Sequence, residues 1–172
     1  DQPRSRGLGD VYKRQIYVLY AQPGEEQAIM HSLQDIGYKS YVPRELHHYR
    51  KGGKWHDEIR PLFDGYVFVE LDGLSAEDYY RIRAVHGVGN FVSKTTCLSC
   101  TEEEYILGLC RNKDWLKASH GHIDNGFLKI DSGYLKDYEH KIVKFSKRQH
   151  KAVIELTLYG EPHRITCAVD ID

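Results

Sequence analysis

The spacing of apolar residues changes several times along this chain, and each change predicts an element. The densest run, Gly65 to Leu71, reads Gly-Tyr-Val-Phe-Val-Glu-Leu between the turn signals Pro61, Asp64-Gly65 and Asp72-Gly73, which predicts a core strand. Alternation then sets Val67, Val69 and Leu71 on one face and Tyr66, Phe68 and Glu70 on the other. The aliphatic face is the one to bury. The rings opposite it, close to Phe63, form either a second core layer or an apolar patch for a partner. Upstream, Ile16 to Tyr20 predicts a strand, and Ala28, Ile29, Leu33 and Ile36 recur at helical spacing between Glu25 and Gly37. Tyr38 to Val42 predicts another strand. After Pro43, two runs of residues, 45–51 and 54–60, flank Gly52-Gly53 and predict a hairpin. Ser75 is placed to cap a helix that carries Tyr79, Ile82 and Val85 inward, and Val88 to Val92 predicts a strand. Thr101-Glu102-Glu103-Glu104 reads as a capping box for a helix ending near Asn112.

Residues 113–125 mix Lys, Asp, Ser, His, Gly and Asn without an apolar period, which predicts a linker. Beyond it the chain is strand and turn throughout, with short runs at 127–130, 139–145, 152–159 and 164–169 that suit a small barrel. The expected fold class is therefore α+β. An α/β sandwich, an antiparallel sheet with packed helices, occupies 16–112, and a small β-barrel occupies 126–172. Residues 1–15 show neither period and are expected to be a disordered or non-native leader.

Composition changes this picture little. The chain has 172 residues and balances Lys+Arg 24 against Asp+Glu 25, which argues against retention on nucleic acid by bulk charge. Two local patches escape the balance. The hairpin carries Arg44, Arg50, Lys51, Lys54 and Arg60 around Trp55, and a later turn carries Lys141, Lys144, Lys147, Arg148 and Lys151 with no acid between them. Each reads either as a phosphate-contacting surface or as a solvated one. The 13 tyrosines favour a β-rich interaction protein, because a phenol combines ring area with a hydroxyl. Cys97-Leu98-Ser99-Cys100 has zinc-like spacing, but no second Cys/His pair follows, so loop thiols are expected and no metal. His47, His48 and His56 stand on a hairpin tip without an enclosing pocket, so neither an enzyme site nor a cofactor is expected. No window approaches the roughly 18 uninterrupted apolar residues of a membrane span, and the cytoplasm is the expected compartment.

Pro61-Leu62-Phe63-Asp64-Gly65-Tyr66-Val67-Phe68-Val69 closely resembles the Pro-Leu-Phe-Pro-Gly-Tyr-Val-Phe-Val signature of NusG-type transcription elongation factors, with Asp64 standing where the family has proline. Ile16 to Tyr20 resembles the family's first strand, Val88-Gly89-Asn90-Phe91-Val92 its later Gly-Val-x-x-Phe-Val strand, and the last fifty residues its SH3-like KOW module. There Asp137 and His140 stand in place of two glycines. Among family members the chain looks most like specialised paralogues of the LoaP, UpxY and RfaH kind. The resemblance implies a bacterial elongation and antitermination factor, monomeric and non-enzymatic, whose N-terminal NGN domain receives the RNA polymerase clamp helices on Tyr20, Phe63, Tyr66 and Phe68. It also implies a KOW domain that meets a second partner, a ribosomal protein or Rho, through Leu135 and Tyr138. Non-template DNA or nascent RNA would meet Arg50, Lys51 and Lys54 on the hairpin and Lys144, Lys147, Arg148 and Lys151 on the turn. The competing reading is a stand-alone RNA-binding or ribosome-associated module with an SH3-like barrel.

Overall fold

The computed structural model describes residues 14–110 and 114–172. Of the expected leader only Arg14 and Gln15 fall among them, and Gln15 already opens the first strand. Two compact units emerge, one from residues up to 42 together with 63–103, the other from 43–62 together with 104–172.

In chain order the strands of the first two-thirds are β1 (Gln15–Ala21), β2 (Lys39–Tyr41), β3 (Arg44–Lys51), β4 (Lys54–Pro61), β5 (Tyr66–Leu71) and β6 (Val88–Phe91). Four of them form the sheet of the N-terminal unit, in the order β2-β5-β1-β6. β5 pairs antiparallel with both β1 and β2 and is an interior strand, as its apolar density requires. Val67, Val69 and Leu71 enter one core with Tyr17, Leu19, Ile29, Leu33, Ile82 and Phe91. Helix α1 (Glu26–Asp35) contributes Ile29, Met30 and Leu33 to that core, whereas Ile36, expected on the same stripe, lies past the last turn and is 40% exposed. Helix α2 (Ala76–Arg83) begins as expected: Ser75 Oγ accepts from the Asp78 N–H at 3.1 Å. Helix α3 (Cys100–Leu109) begins differently. Its capping box is Ser99 and Glu102, not Thr101 and Glu104. The Glu102 N–H donates to Ser99 Oγ at 3.2 Å and the Ser99 N–H to Glu102 Oε1 at 3.1 Å. Both pairs have the same spacing, and Ser99 wins because Leu98, buried just ahead of it, fixes where the chain turns into the helix.

The C-terminal unit holds the two-stranded hairpin of β3 with β4, in which Gly52 (φ 60) and Gly53 (φ 77) make the tight turn expected of Gly-Gly. It also holds β7 (Ser119–Asp124), β8 (Phe127–Ser132), β9 (Ile142–Ser146), β10 (Lys151–Leu158) and β11 (Glu161–Ile171). These form a five-stranded sheet in the order β8-β7-β11-β10-β9. β7 lies inside the expected linker. Its sequence, Ser-His-Gly-His-Ile-Asp, has no apolar period, yet it pairs antiparallel with β8 and parallel with β11. Backbone crowding explains the composition: a Cβ on Gly121 would stand 2.4 Å from the Lys129 carbonyl oxygen. The strand expected at 139–145 is likewise corrected. A 3-10 helix, Tyr134–Lys141, precedes β9, entered through Gly133 at φ 100, where a Cβ would meet Ser119 at 2.4 to 2.7 Å.

Candidate functional site

In the N-terminal unit the register of β1 against β5 places Tyr20 opposite Tyr66, with ring centroids 5.8 Å apart. The pair sits where the chain leaves the Phe63–Gly65 turn. The Tyr66 N–H donates to the Phe63 carbonyl, the Ala21 N–H to the Gly65 carbonyl at 2.8 Å, and Gly65 adopts φ 79. Tyr20 is 47% exposed and Tyr66 is half-buried, with its phenol held above its ordinary value by burial and by Tyr20. Phe63 and Phe68 meet edge to face at 5.5 Å, but they are only 4% and 0% exposed. The expected set of four aromatic contacts thus divides into two surface phenols and two interior phenyl rings that hold the turn and strand in place. Phe63 lies in the turn before β5 and Phe68 on the strand itself, and their burial is the second core layer the alternation allowed.

The hairpin presents ring stacks on both faces. His48 lies flat on Trp55, with centroids 4.6 Å apart and planes at 3°, and its Nδ1 is hydrogen-bonded to the Asp57 carboxylate. On the other face His47, Tyr49 and His56 stack in succession at 5.5 Å spacings, and burial and Arg60 push the His47 imidazole below its ordinary value. Arg50, Lys51 and Lys54 are exposed at the tip, and Trp55 is 60% exposed. Flat rings beside exposed cations match the needs of bases and phosphates.

On the C-terminal sheet Lys144 stands on β9, Lys147 and Arg148 in the turn and Lys151 at the start of β10, all at least partly exposed. Sequence placed no acid near this turn, but β11 does: Asp170 lies 3.6 Å from His150 Nδ1 and 3.8 Å from His120 Nδ1. The expected partner contacts Leu135 and Tyr138 are interior, at 0% and 4% exposure. The Leu135 N–H donates to Ser119 Oγ at 3.1 Å and the Tyr138 hydroxyl to the Tyr105 carbonyl at 2.7 Å, so both are fixed by the 3-10 helix against β7 and α3. Neither is available as a surface contact in this conformation.

Sequence reasoning passed over Glu45. It reads as an ordinary hairpin acid, yet it is 1% exposed, accepting from the Ala168 N–H of β11 at 2.9 Å and from the Tyr134 hydroxyl. Burial pushes its carboxyl up, against the pull of Tyr134, Ala168 and Arg60 in the other direction. Main-chain bonds between Leu46 and Leu116, and between Leu116 and Arg44, complete the attachment of the hairpin within this unit. No local signal announces such a residue, because its partners lie 89 and 123 positions away. Cys97 and Cys100 are free thiols, the first packed against the N-terminal core and the second exposed. Among the described residues no helix is long and apolar enough to cross a membrane.

Residues 14–106, which include the Tyr20–Tyr66 surface and its Phe63 and Phe68 support, match the family model described as transcription termination factor nusG. The chain belongs to the NusG family. A NusG of Thermus thermophilus, a transcription termination/antitermination protein, is 26% identical over 139 residues, covering 74% of this chain and 76% of that protein. A solved structure described as domain interaction in Thermotoga maritima NusG aligns with a TM-score of 0.55 at 21% identity, covering 91% of this chain and 94% of that one. That likeness carries the fold, an α+β N-terminal sandwich followed by a small barrel-like sheet. Asp64, at the position where the NusG signature has proline, is compatible with the turn because Gly65 supplies the left-handed residue.

Proposed function

We propose that this NusG-family chain is a non-enzymatic bacterial elongation and antitermination factor of the cytoplasm that binds the RNA polymerase clamp helices through its N-terminal unit. The observation that carries the reading is the Tyr20–Tyr66 pair, two phenols at 5.8 Å beside the turn and strand that bury Phe63 and Phe68, inside the segment matched to the family. Rigid aromatic anchors over a packed base are the usual energetic centre of a protein interface. Tyr20 and Tyr66 make the contacts, Phe63 and Phe68 hold them, and the KOW-like sheet meets a second protein partner, a ribosomal protein or Rho. Arg50, Lys51 and Lys54 face non-template DNA or nascent RNA as the complex moves.

The test is capture of purified bacterial RNA polymerase by the full chain and by Tyr20→Ala/Tyr66→Ala, with circular dichroism of each. Loss of two anchors is expected to cost at least about 2 kcal/mol of binding while leaving the fold intact. A folded double variant that captures polymerase as well as the parent would overturn the assignment.

A second reading, an RNA-binding or ribosome-associated module, draws on the exposed cations Lys144, Lys147 and Arg148. The two readings separate by salt. Phosphate binding weakens steeply with ionic strength, by about one unit of logarithmic slope per contact, whereas the phenol surface should be nearly indifferent.

A further inference from the structure

The two ends of the C-terminal sheet bound a groove to which the expected sites contribute only Lys144. In the order β8-β7-β11-β10-β9, strands β8 and β9 each pair on one side only. Together with Glu139 and His140 of the 3-10 helix they line an open groove of about 650 Å³. The backbone on its β8 side can be read from the turn before it. Asn125 (φ 50) and Gly126 (φ 81) make a two-residue left-handed turn, so Asp124 and Phe127 form the closing hydrogen-bonded pair. Alternation makes His122 and Lys129 the next such pair and directs the main-chain groups of Leu128 and Ile130 away from β7, toward the groove. The Ile130 N–H bears this out by donating to Glu139 Oε1 at 2.9 Å. A side-chain carboxylate, not a neighbouring strand, satisfies this edge.

The side chains along the groove share one chemistry. Phe127 and Val143 are exposed at 70% and 44%, more than the other apolar residues of their strands, and Leu128 and Ile142 also line the groove. Lys129 and Lys144 are exposed on opposite banks and enter no ion pair among the described residues. Glu139 is the one acid among the lining residues, and it is engaged with Ile130.

We propose that this groove takes an extended segment of a protein partner, with apolar and acidic side chains taking turns along the one face it shares with Phe127 and Lys129, as an added strand along β8. Such a segment bonds to the Leu128 main chain, lays its apolar side chains on Phe127 and Val143, and brings carboxylates to Lys129 and Lys144. An unpaired edge flanked by apolar side chains and ammonium groups is complementary to that sequence type. A nucleic acid could use the two cations but would leave the Leu128 main chain and the aliphatic walls unmatched, so the observations favour peptide. The groove lies in the C-terminal unit and does not depend on the polymerase reading, which stands or falls on Tyr20 and Tyr66.

The test uses the full chain and a fluorescent synthetic peptide of about eight residues, in which valine and glutamate take turns at every second position with threonines between them, a length that spans one strand. Its comparators are a lysine-for-glutamate version, a version with proline at alternate positions, which cannot extend a ladder, and an oligouridine. Anisotropy should show binding of the valine–glutamate peptide alone, weakened at least about tenfold by Lys129→Glu/Lys144→Glu and also reduced by Phe127→Ala. All three side chains are exposed, so the variants should fold, and circular dichroism verifies this. Amide resonances of Leu128 and Lys129 should shift on binding. The proposal is overturned if the peptide does not bind, if the proline version binds equally well, if the charge reversal changes nothing, or if oligouridine is the probe that binds and loses its site on charge reversal.

Discussion

Strands β5 and β7 occupy equivalent places, each interior to its sheet, and are made in opposite ways. β5 is Tyr-Val-Phe-Val-Glu-Leu, with Val67, Phe68 and Val69 fully buried, so both faces are covered by the side chains themselves. β7 is Ser-His-Gly-His-Ile-Asp, with only Ser119 and Gly121 buried, and it keeps its place through ladders to β8 and β11 and through the absence of a side chain at Gly121. An interior strand therefore need not be apolar. It must only leave no backbone group unpaired and no atom where a neighbour already stands.

The sharpest test of this contrast is truncation in β5. Phe68→Ala removes a fully buried ring that packs against Phe63, and a loss of about 3 to 5 kcal/mol of stability is expected by chemical denaturation. A change below about 1 kcal/mol would mean that Phe68 is not part of a packed interior but an anchor waiting for a partner.

In β7 the corresponding change adds an atom. Gly121→Ala would set a methyl 2.4 Å from the Lys129 carbonyl oxygen and 3.2 Å from Leu128 Cδ1, so the β7–β8 pairing must open; a loss of about 1 to 3 kcal/mol is expected. His120→Ala, at the exposed position next to Gly121, should change stability by no more than about 0.5 kcal/mol. Equal effects at 120 and 121 would remove the argument that backbone crowding selects the glycine.

The smallest effect is expected from pH. The carboxyl of Glu45 is raised in the folded protein, so its protonated form is favoured there relative to the unfolded chain. Its contribution is fully present below the ordinary value of 4.5 and fades as pH rises through the higher folded value. Glu45→Gln should abolish that segment of the stability–pH curve while leaving the rest unchanged. An unaltered curve in the variant would locate the dependence in another group, of which His122 is the natural candidate, since the hydrogen bond and charge of Asp131 raise it and its stabilisation too is lost as pH rises.

The difference between the two strands also marks where sequence reading succeeds. The NusG signature, the β5 alternation, the Gly-Gly hairpin and the Ser75 cap are local patterns in which neighbouring residues determine one another, and each appears in the structure as expected. The errors fall where the deciding partner is remote. Leu135 and Tyr138, expected as partner contacts, are interior, the first held to β7, itself unforeseen, and the second to Tyr105 of α3. Of the four aromatics expected to face a partner, Tyr20 is 47% exposed and Tyr66 half-buried, while Phe63 and Phe68 are interior.

Hydrophobic period, turn chemistry and one long motif were enough to establish the α+β class and the family, because these depend on residues a few positions apart. Tertiary structure alone decided which aromatics reach solvent, that a polar segment becomes an interior strand, that Asp170 comes to stand beside the basic turn, and that a hairpin carboxylate is buried on an amide 123 residues away. The physical reason is common to all four. Burial, ion pairing and backbone satisfaction are properties of what surrounds a residue, and for these residues the surroundings come from distant parts of the chain.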